Sequence, residues 1–169
     1  MTRKTYEKMT QPFRDYPKLA KSLHIFNRIL TLCVFTAYPV LLLWLMRHRS
    51  PMLVRTVLIP MAGYLVLSVF RSLINRERPY ERFGLPPVIP KKTKGKSFPS
   101  RHVFSAAVIA GAFLQQSGEG FAVCGIVILV CAVLLGVIRV LSGIHYISDV
   151  IAGLVSAGIV WAVAYVLLY

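Results

Sequence analysis

Apolar runs separated by short polar turns dominate the sequence and predict helices that cross a membrane. A transmembrane helix needs about 20 mostly apolar residues, and runs close to this length recur from residue 29 onward. The pattern predicts five spans, from about Ile29 to Met46, Met52 to Ile74, Ser100 to Gln115, Phe121 to Ile138 and Tyr146 to Leu168. We therefore expect an all-α integral membrane helical bundle with five transmembrane helices.

The first 27 residues form a basic segment ahead of the first span. Its basic side chains, with one just beyond, are Arg3, Lys4, Lys8, Arg14, Lys18, Lys21 and Arg28. Aromatic and aliphatic residues lie between them, which is typical of an amphipathic helix in the headgroup layer and equally of a frayed cytosolic tail. We expect residues 1–27 to form an interfacial or cytosolic segment, and residues 28–169 to form a single membrane-embedded domain.

Composition narrows the class of protein. The chain has 169 residues, of which 56% are hydrophobic and 15% charged, and its formal charge is +14. Soluble domains carry roughly 25% charged residues, and disordered chains have low hydrophobicity, so both classes are excluded. Contact with anionic membrane lipids and with a phosphate group accounts for the excess of basic residues, and we expect no nucleic-acid partner.

One connection, residues 75–98, is much longer than the others. Its four prolines exclude a continuous helix, and the Lys-rich stretch Lys91–Lys96 follows them. We interpret this stretch as solvated or in contact with the membrane. Loops of this length inside a small domain are usually functional or disordered. We expect the loop to carry part of a functional site.

Seven ionisable residues lie at predicted span ends, where charges in so apolar a chain mark functional sites. They are Arg71, Arg78, Arg101, His102, Arg139, His145 and Asp149. The loop between spans two and three and the loop between spans four and five must lie on the same membrane face. All seven residues therefore collect at one interface. Four arginines, two histidines and a carboxylate at a helix terminus are typical of a phosphate-binding site.

Spacing predicts how the first of these residues are placed. Arg71 and Arg78 are two helical turns apart, so we expect both to project from one face of the second span. Pro79 marks the end of that span. Ser100 is a natural N-cap for the third span, and a helix N-terminus with free N–H groups can bind an anion.

The remaining residues indicate chemistry. His145 and Asp149 are four residues apart, so on a helix the carboxylate can reach the imidazole. Arg139 ends the fourth span, a short turn earlier. A His–Asp pair beside arginines indicates nucleophilic or acid–base chemistry on the bound phosphate.

Together these residues form three motifs, which read Arg71-x6-Arg78-Pro79, Pro99-Ser100-Arg101-His102 and Arg139-x5-His145-x3-Asp149. The set resembles the three-part signature of the type 2 phosphatidic acid phosphatase (PAP2) superfamily, which reads Lys-x6-Arg-Pro, Pro-Ser-Gly-His and Ser-Arg-x5-His-x3-Asp. The resemblance covers residues 71–149, with the three motifs in the family's order. It implies a membrane lipid phosphatase that hydrolyses a phosphomonoester or diphosphate headgroup without a metal ion or other cofactor.

The resemblance also implies roles for individual residues. His145 would attack phosphorus and form a phosphohistidine, and Asp149 would orient its imidazole. His102 would protonate the leaving oxygen and then activate water. The phosphoryl oxygens would be held by Arg71, Arg78, Ser100 and Arg139. Arg101 replaces the usual Gly, so its backbone N–H contact with phosphate carries over, while its side chain either touches substrate or reaches the headgroups.

Other functions are compatible with the same residues. A metal site built from His102, His145 and Asp149 is chemically allowed, although the surrounding arginines would repel the ion. An anion or lipid transporter would use the arginine cluster for binding and would retain function after His145→Ala. A membrane adaptor would bind anionic lipids through its basic segment and would lose its role on deletion of residues 1–27.

Substrate and orientation are left open by the sequence. Undecaprenyl diphosphate, phosphatidylglycerol phosphate, phosphatidic acid and a lipid A phosphate are all candidate substrates, and no residue indicates an oligomeric state. We expect a multi-pass protein of the cell (inner) membrane. Seventeen of the twenty basic residues, all but Arg47, Arg49 and Arg55, fall on the face of the site. The positive-inside rule makes that face cytoplasmic, whereas family members that act on cell-wall or outer-leaflet lipids face outward.

Overall fold

The computed structural model describes residues 1–168, with side chains through residue 166. Over these residues all regular secondary structure is helical, as the apolar pattern predicted. The seven helices are α1 (Arg3–Asp15), α2 (Pro17–Arg47), α3 (Met52–Ile74), α4 (Pro79–Phe83), α5 (Arg101–Leu114), α6 (Glu119–Leu141) and α7 (Ile147–Leu168).

Four of the described helices, α2, α3, α6 and α7, are long and apolar enough to cross a membrane. The predicted count of five is therefore one too high. Helix α5, predicted as the third span, has 14 residues and is about 21 Å long, shorter than the ~30 Å hydrocarbon core. It lies inside the bundle, where Val103 and Phe104 are at most 1% exposed.

The N-terminal segment is helical and consists of α1 and the start of α2. Helix α1 ends at Asp15, and α2 starts at Pro17, since proline is favoured in the first turn of a helix. Residues 17–27 therefore continue into the first long helix. Helix α1 turns Tyr6 and Thr10, both fully buried, toward the protein, while its basic side chains are exposed. Its location in the headgroup layer stays a prediction.

A close approach between α5 and α7 positions the functional residues. Gly153 of α7 lies against the carbonyl oxygen of Ser100, which would be only 2.8 Å from a Cβ at that glycine. The N–H of Ser100 donates to the carbonyl of Asp149 at 2.8 Å. Because these contacts join the start of α5 to the first two turns of α7, the starts of the two helices meet at one end of the bundle.

Candidate active site

A cavity of about 190 Å³ lies at this end of the bundle, between helix ends and the long loop. Of the predicted site residues, its lining includes Arg71, Arg78, Arg101, His102, Arg139 and His145. Asp149 contacts His145 from the buried side, and Ser100 is fully buried at the start of α5. The fold thus brings the residues singled out in the sequence to one place.

His145 and Asp149 form a hydrogen-bonded pair, although His145 precedes α7. Nδ1 of His145 lies 3.3 Å from Oδ2 of Asp149, and Nε2 lies 3.4 Å from Nη1 of Arg78. Because a carboxylate only accepts, the proton is assigned to Nδ1, and the lone pair of Nε2 faces the arginine. Burial lowers the pKa of His145 to about 4, against the opposing effect of the Asp149 hydrogen bond. The imidazole is therefore neutral at neutral pH.

Asp149 is fully buried, and four donors surround its carboxylate. Oδ2 accepts from Ser97 Oγ at 2.5 Å, from the Tyr146 N–H at 3.0 Å and from His145. Oδ1 accepts from Nη1 of Arg76 at 2.8 Å. Buried charges need such partners, so this network keeps the carboxylate ionised and fixed. Sequence reasoning missed Ser97 and Arg76, which are 52 and 73 residues from Asp149 along the chain.

Arg78 reaches the cavity by a different route from the predicted one. Helix α3 ends at Ile74 because Asn75 adopts a left-handed backbone conformation with φ of 42°. The prediction that Arg71 and Arg78 share one face of the second span is therefore wrong. Arg78 instead precedes α4, and its Nε donates to the carbonyl of Gly95 at 3.0 Å, where the long loop folds back.

Arg71 is hydrogen-bonded to the backbone of the long loop, whereas the Nε of Arg139 has no partner in the described protein. Arg71 donates to the backbone carbonyls of Lys96 and Pro99, so it also fastens the end of the long loop to α3. Arg139 is 6% exposed, and its Nε is buried without a partner in the described protein. Ser100 occupies the N-cap position of α5 as predicted, but its hydroxyl makes no capping bond and is likewise unpartnered. An unpaired buried polar atom costs about 1–3 kcal/mol, so an oxygen-rich ligand suits both groups.

Cations dominate the lining of the cavity, and none of the described residues along it is acidic. Lys91 of the Lys-rich stretch lines the cavity rather than facing only solvent or membrane. Its partial burial, together with the charge of Arg139 and other nearby arginines, lowers its pKa. Arg101 is exposed at the rim, with its guanidinium carbon 5.5 Å from the centre of the Tyr64 ring. Such a concentration of uncompensated positive charge favours an anion with several charges.

Metal ligands do not cluster at this site. Within residues 1–168, no group of three His, Cys, Asp or Glu side chains comes together in a way that could hold a metal ion. The alternative site built from His102, His145 and Asp149 therefore has no geometric support among the described residues. That the reaction needs no metal stays a prediction.

The fold and the site define a helical membrane protein with a cation-lined His–Asp centre. The sequence model of the PAP2 superfamily matches residues 51–169, and the chain belongs to this superfamily. It is a multi-pass membrane protein. A lipid A 1-phosphatase from Rhizobium etli is 34% identical over 98 residues, which make up 56% of this chain and 40% of that protein. The chain thus matches less than half the length of this relative.

Two solved structures share the fold. The crystal structure of LpxE from Aquifex aeolicus has a TM-score of 0.71 at 19% identity, and the match covers 96% of this chain and 93% of that one. The crystal structure of a transmembrane PAP2 type phosphatidylglycerolphosphate phosphatase from Bacillus subtilis has a TM-score of 0.68 at 21% identity, and the match covers 96% of this chain and 85% of that one. At these identities the likeness concerns the fold alone.

Proposed function

We propose that this protein is a membrane lipid phosphatase that releases phosphate from a lipid phosphomonoester or diphosphate through a phosphohistidine on His145. The observation that carries the proposal is the orientation of the imidazole. Nδ1 is held by the buried carboxylate of Asp149, and Nε2 faces a guanidinium of the cavity. A transporter or adaptor would need the arginines, but it would not need a buried carboxylate that fixes one tautomer of a neutral imidazole.

In the first step, Nε2 of His145 attacks phosphorus in line, so that an N–P bond forms and the bond to the lipid oxygen breaks. His102, on the cavity wall, donates the proton that the leaving oxygen requires. Burial and nearby cations lower its pKa to about 3 in the free protein, so the donor is the imidazolium form, which the negative charge of a bound phosphate favours. Asp149 stabilises the positive charge that develops on the imidazole. One well-placed donor to the phosphoryl oxygens is worth about 3 kcal/mol in the transition state. The proposed donors are the side chains of Arg71, Arg78, Ser100 and Arg139 and the backbone N–H of Arg101.

In the second step, water gives a proton to His102 and attacks phosphorus, and the N–P bond breaks. Inorganic phosphate leaves, and both histidines return to their starting protonation states. No oxidation occurs, and the proton that His102 lost is regained from water. The cycle needs no metal ion and no cofactor.

An apolar groove supports a lipid as the carrier of the phosphate. The groove, of about 340 Å³, lies between α2, α3 and α5, and its walls include Phe35, Tyr64 and Phe104. Phe35 and Tyr64 also line a recess that contains Arg101 and His102, and those two residues line the cation-rich cavity as well. A bound lipid would therefore place its headgroup among the cations, its leaving oxygen near His102 and its chain along apolar walls.

Phosphate release from purified protein tests the proposal. A panel of phosphatidic acid, phosphatidylglycerol phosphate, undecaprenyl diphosphate and a lipid A phosphate is assayed with a chelator present. We expect release from at least one lipid, and no release by His145→Ala. The matched control is His48→Ala, since His48 is exposed and its ring nitrogen bonds the carbonyl of Trp44 in the preceding helix. Strict dependence on added divalent metal, or lipid transport that survives His145→Ala, would contradict the mechanism.

We also propose that the protein lies in the cell (inner) membrane with its site facing outward, as the family resemblance implies. The positive-inside rule supports the opposite orientation, so the two arguments need a direct test. Lys92 is exposed on the long loop, and Ser117 is exposed on the α5–α6 connection at the other end of the bundle. An impermeant thiol reagent should label Lys92→Cys in intact cells and leave Ser117→Cys unlabelled, with unsubstituted protein as background. The reverse pattern would establish a cytoplasmic site.

A further inference from the structure

The N-terminal helix α1 is fastened to the long loop of the candidate active site. Tyr6 is fully buried, although most of the side chains of this helix are exposed. Its hydroxyl donates to the carbonyl of Leu85 at 3.2 Å, and its ring centre lies 5.4 Å from that of Phe83. Further along α1, Arg14 donates to the carbonyl of Pro86 at 2.9 Å. Helix α1 therefore holds residues 83–86, in the middle of the loop.

The same tyrosine contacts the short loop that holds His145. Gly143 has a φ of 71°, and a Cβ built on it would lie 2.5 Å from the hydroxyl oxygen of Tyr6. The ring of Tyr6 thus packs directly on the glycine backbone, where a larger residue has no room. Immediately after Gly143, the N–H groups of Ile144 and His145 both donate to the carbonyl of Arg139, at 3.1 and 3.2 Å. The position of Gly143 therefore helps to set where the imidazole lies.

We propose that Tyr6 is a positioning residue that holds the His145 loop and the long loop in fixed relation, so that the imidazole faces the arginines. The role rests on the proposed phosphatase function. Tyr6 does not line the cavity, so it acts through Gly143 and Leu85 rather than on phosphate. A misplacement of about 1 Å can slow a reaction about 100-fold. The cations that bind substrate remain when Tyr6 is lost, so the effect falls on kcat more than on KM.

Kinetics of Tyr6 variants test this role. We expect Tyr6→Ala to lower kcat by about 10- to 100-fold with little change in KM, and Tyr6→Phe, which keeps the ring on Gly143, to restore most of the rate. Tyr16→Ala is the matched control, since Tyr16 is 66% exposed beside the end of α1, and it should have the wild-type kcat. Tyr6→Leu replaces Tyr6→Ala if the alanine variant does not fold, with the same loss expected. A folded variant without the ring that keeps the wild-type kcat would overturn the proposal.

A double-mutant cycle tests whether Tyr6 acts through Gly143. In the wild-type background, Gly143→Ala places a methyl group against the tyrosine hydroxyl, whereas in Tyr6→Ala only the backbone strain at the positive φ remains. We therefore expect Gly143→Ala to lower kcat less in the Tyr6→Ala background. Equal losses in the two backgrounds would show that the tyrosine does not act through this contact.

Hydrogen exchange gives a readout that does not depend on activity. In Tyr6→Ala, amides of residues 142–146 should exchange faster, while those of residues 125–135 in α6 should exchange at the wild-type rate. Unchanged exchange at 142–146 would contradict the positioning role even in a protein that releases no phosphate. Absence of phosphate release by wild-type protein, with the expected change in exchange, would instead contradict only the proposed function.

Discussion

Replacing Asp149 with asparagine tests whether the buried carboxylate orients the nucleophile. The substitution keeps the shape of the side chain but removes the charge that accepts hydrogen bonds from His145, Ser97 and Arg76. The carboxylate accepts all four of its hydrogen bonds. The NH₂ group of asparagine can only donate, so it must face at least one of these four donors. With the NH₂ group at the Oδ2 position, the imidazole loses the acceptor that fixes its proton on Nδ1; with it at the Oδ1 position, the NH₂ group faces Arg76 and the imidazole keeps only an uncharged acceptor. In the other tautomer Nε2 carries the proton and cannot attack phosphorus.

The size of the effect follows from burial and distance. Asp149 is 0% exposed and lies 3.3 Å from His145, which is 3% exposed, whereas Arg76, 2.8 Å away, is 35% exposed and stays partly hydrated. In the transition state the imidazole carries positive charge, so His145 and Asp149 form a buried charged pair, and removing one partner from such a pair costs about 3–5 kcal/mol. If this cost is borne in the transition state, kcat falls by about 10²–10⁴-fold. KM should change little, because the cations of the cavity are retained.

Initial rates of phosphate release by detergent-purified Asp149→Asn give the measurement, with circular dichroism melting to show that the variant is folded. Ser148→Ala is the matched control. The hydroxyl of Ser148 is exposed and accepts from the same Arg76 at 2.9 Å, so its loss should change kcat by less than about threefold. A folded Asp149→Asn protein that keeps more than about a tenth of the wild-type kcat would refute the reasoning, since its loss would then be under ~1.4 kcal/mol.

Three other properties of the site can be measured. Burial lowers the pKa of His145 from 6.5 to about 4 in the free protein, so the acid limb of the pH profile of kcat/KM should lie well below 6.5. The unfolded chain takes up this proton first, so thermal stability should fall as pH drops from 6.5 toward 4; an acid limb at 6.5 would contradict both. Ser97→Ala removes one bond to Asp149, worth about 1 kcal/mol, and should lower kcat about fivefold; an unchanged rate would show that this bond does not matter. Arg101→Gly restores the usual family residue and should raise KM with little change in kcat, whereas a tenfold fall in kcat would mean that Arg101 acts on the reacting group.

The positions of the helices could be predicted from local apolar patterns. How far each helix extends, and whether it spans the membrane, depends on its packing against the rest of the chain. The end of α5 at Leu114 follows from the polar residues after it, as the apolar pattern predicted. That α5 does not span the membrane depends on its enclosure by the other helices, which a single segment does not reveal. Similarly, nothing in residues 17–27 marks them as the first three turns of a 31-residue helix, because their polarity is that of a surface segment.

Residues of the candidate site could be predicted where they belong to one of the three sequence motifs. His145, Asp149 and the arginines carry unusual charge at span ends, so their meeting point could be predicted. Ser97 and Arg76 reach Asp149 only because the long loop folds back over the helix ends, and no spacing encodes that fold. Tyr6 was missed for the same reason, since its contacts are with residues about 80 and more positions away.

Trapping of the covalent intermediate tests the central claim most directly. Protein is mixed with a lipid substrate that carries labelled phosphate, quenched in alkaline detergent, in which phosphohistidine survives, and digested for mass spectrometry. We predict a phosphoryl group on the peptide that contains His145, and none in His145→Ala. Phosphate release with no phosphoryl group on His145, or with the group on another residue, would contradict the account.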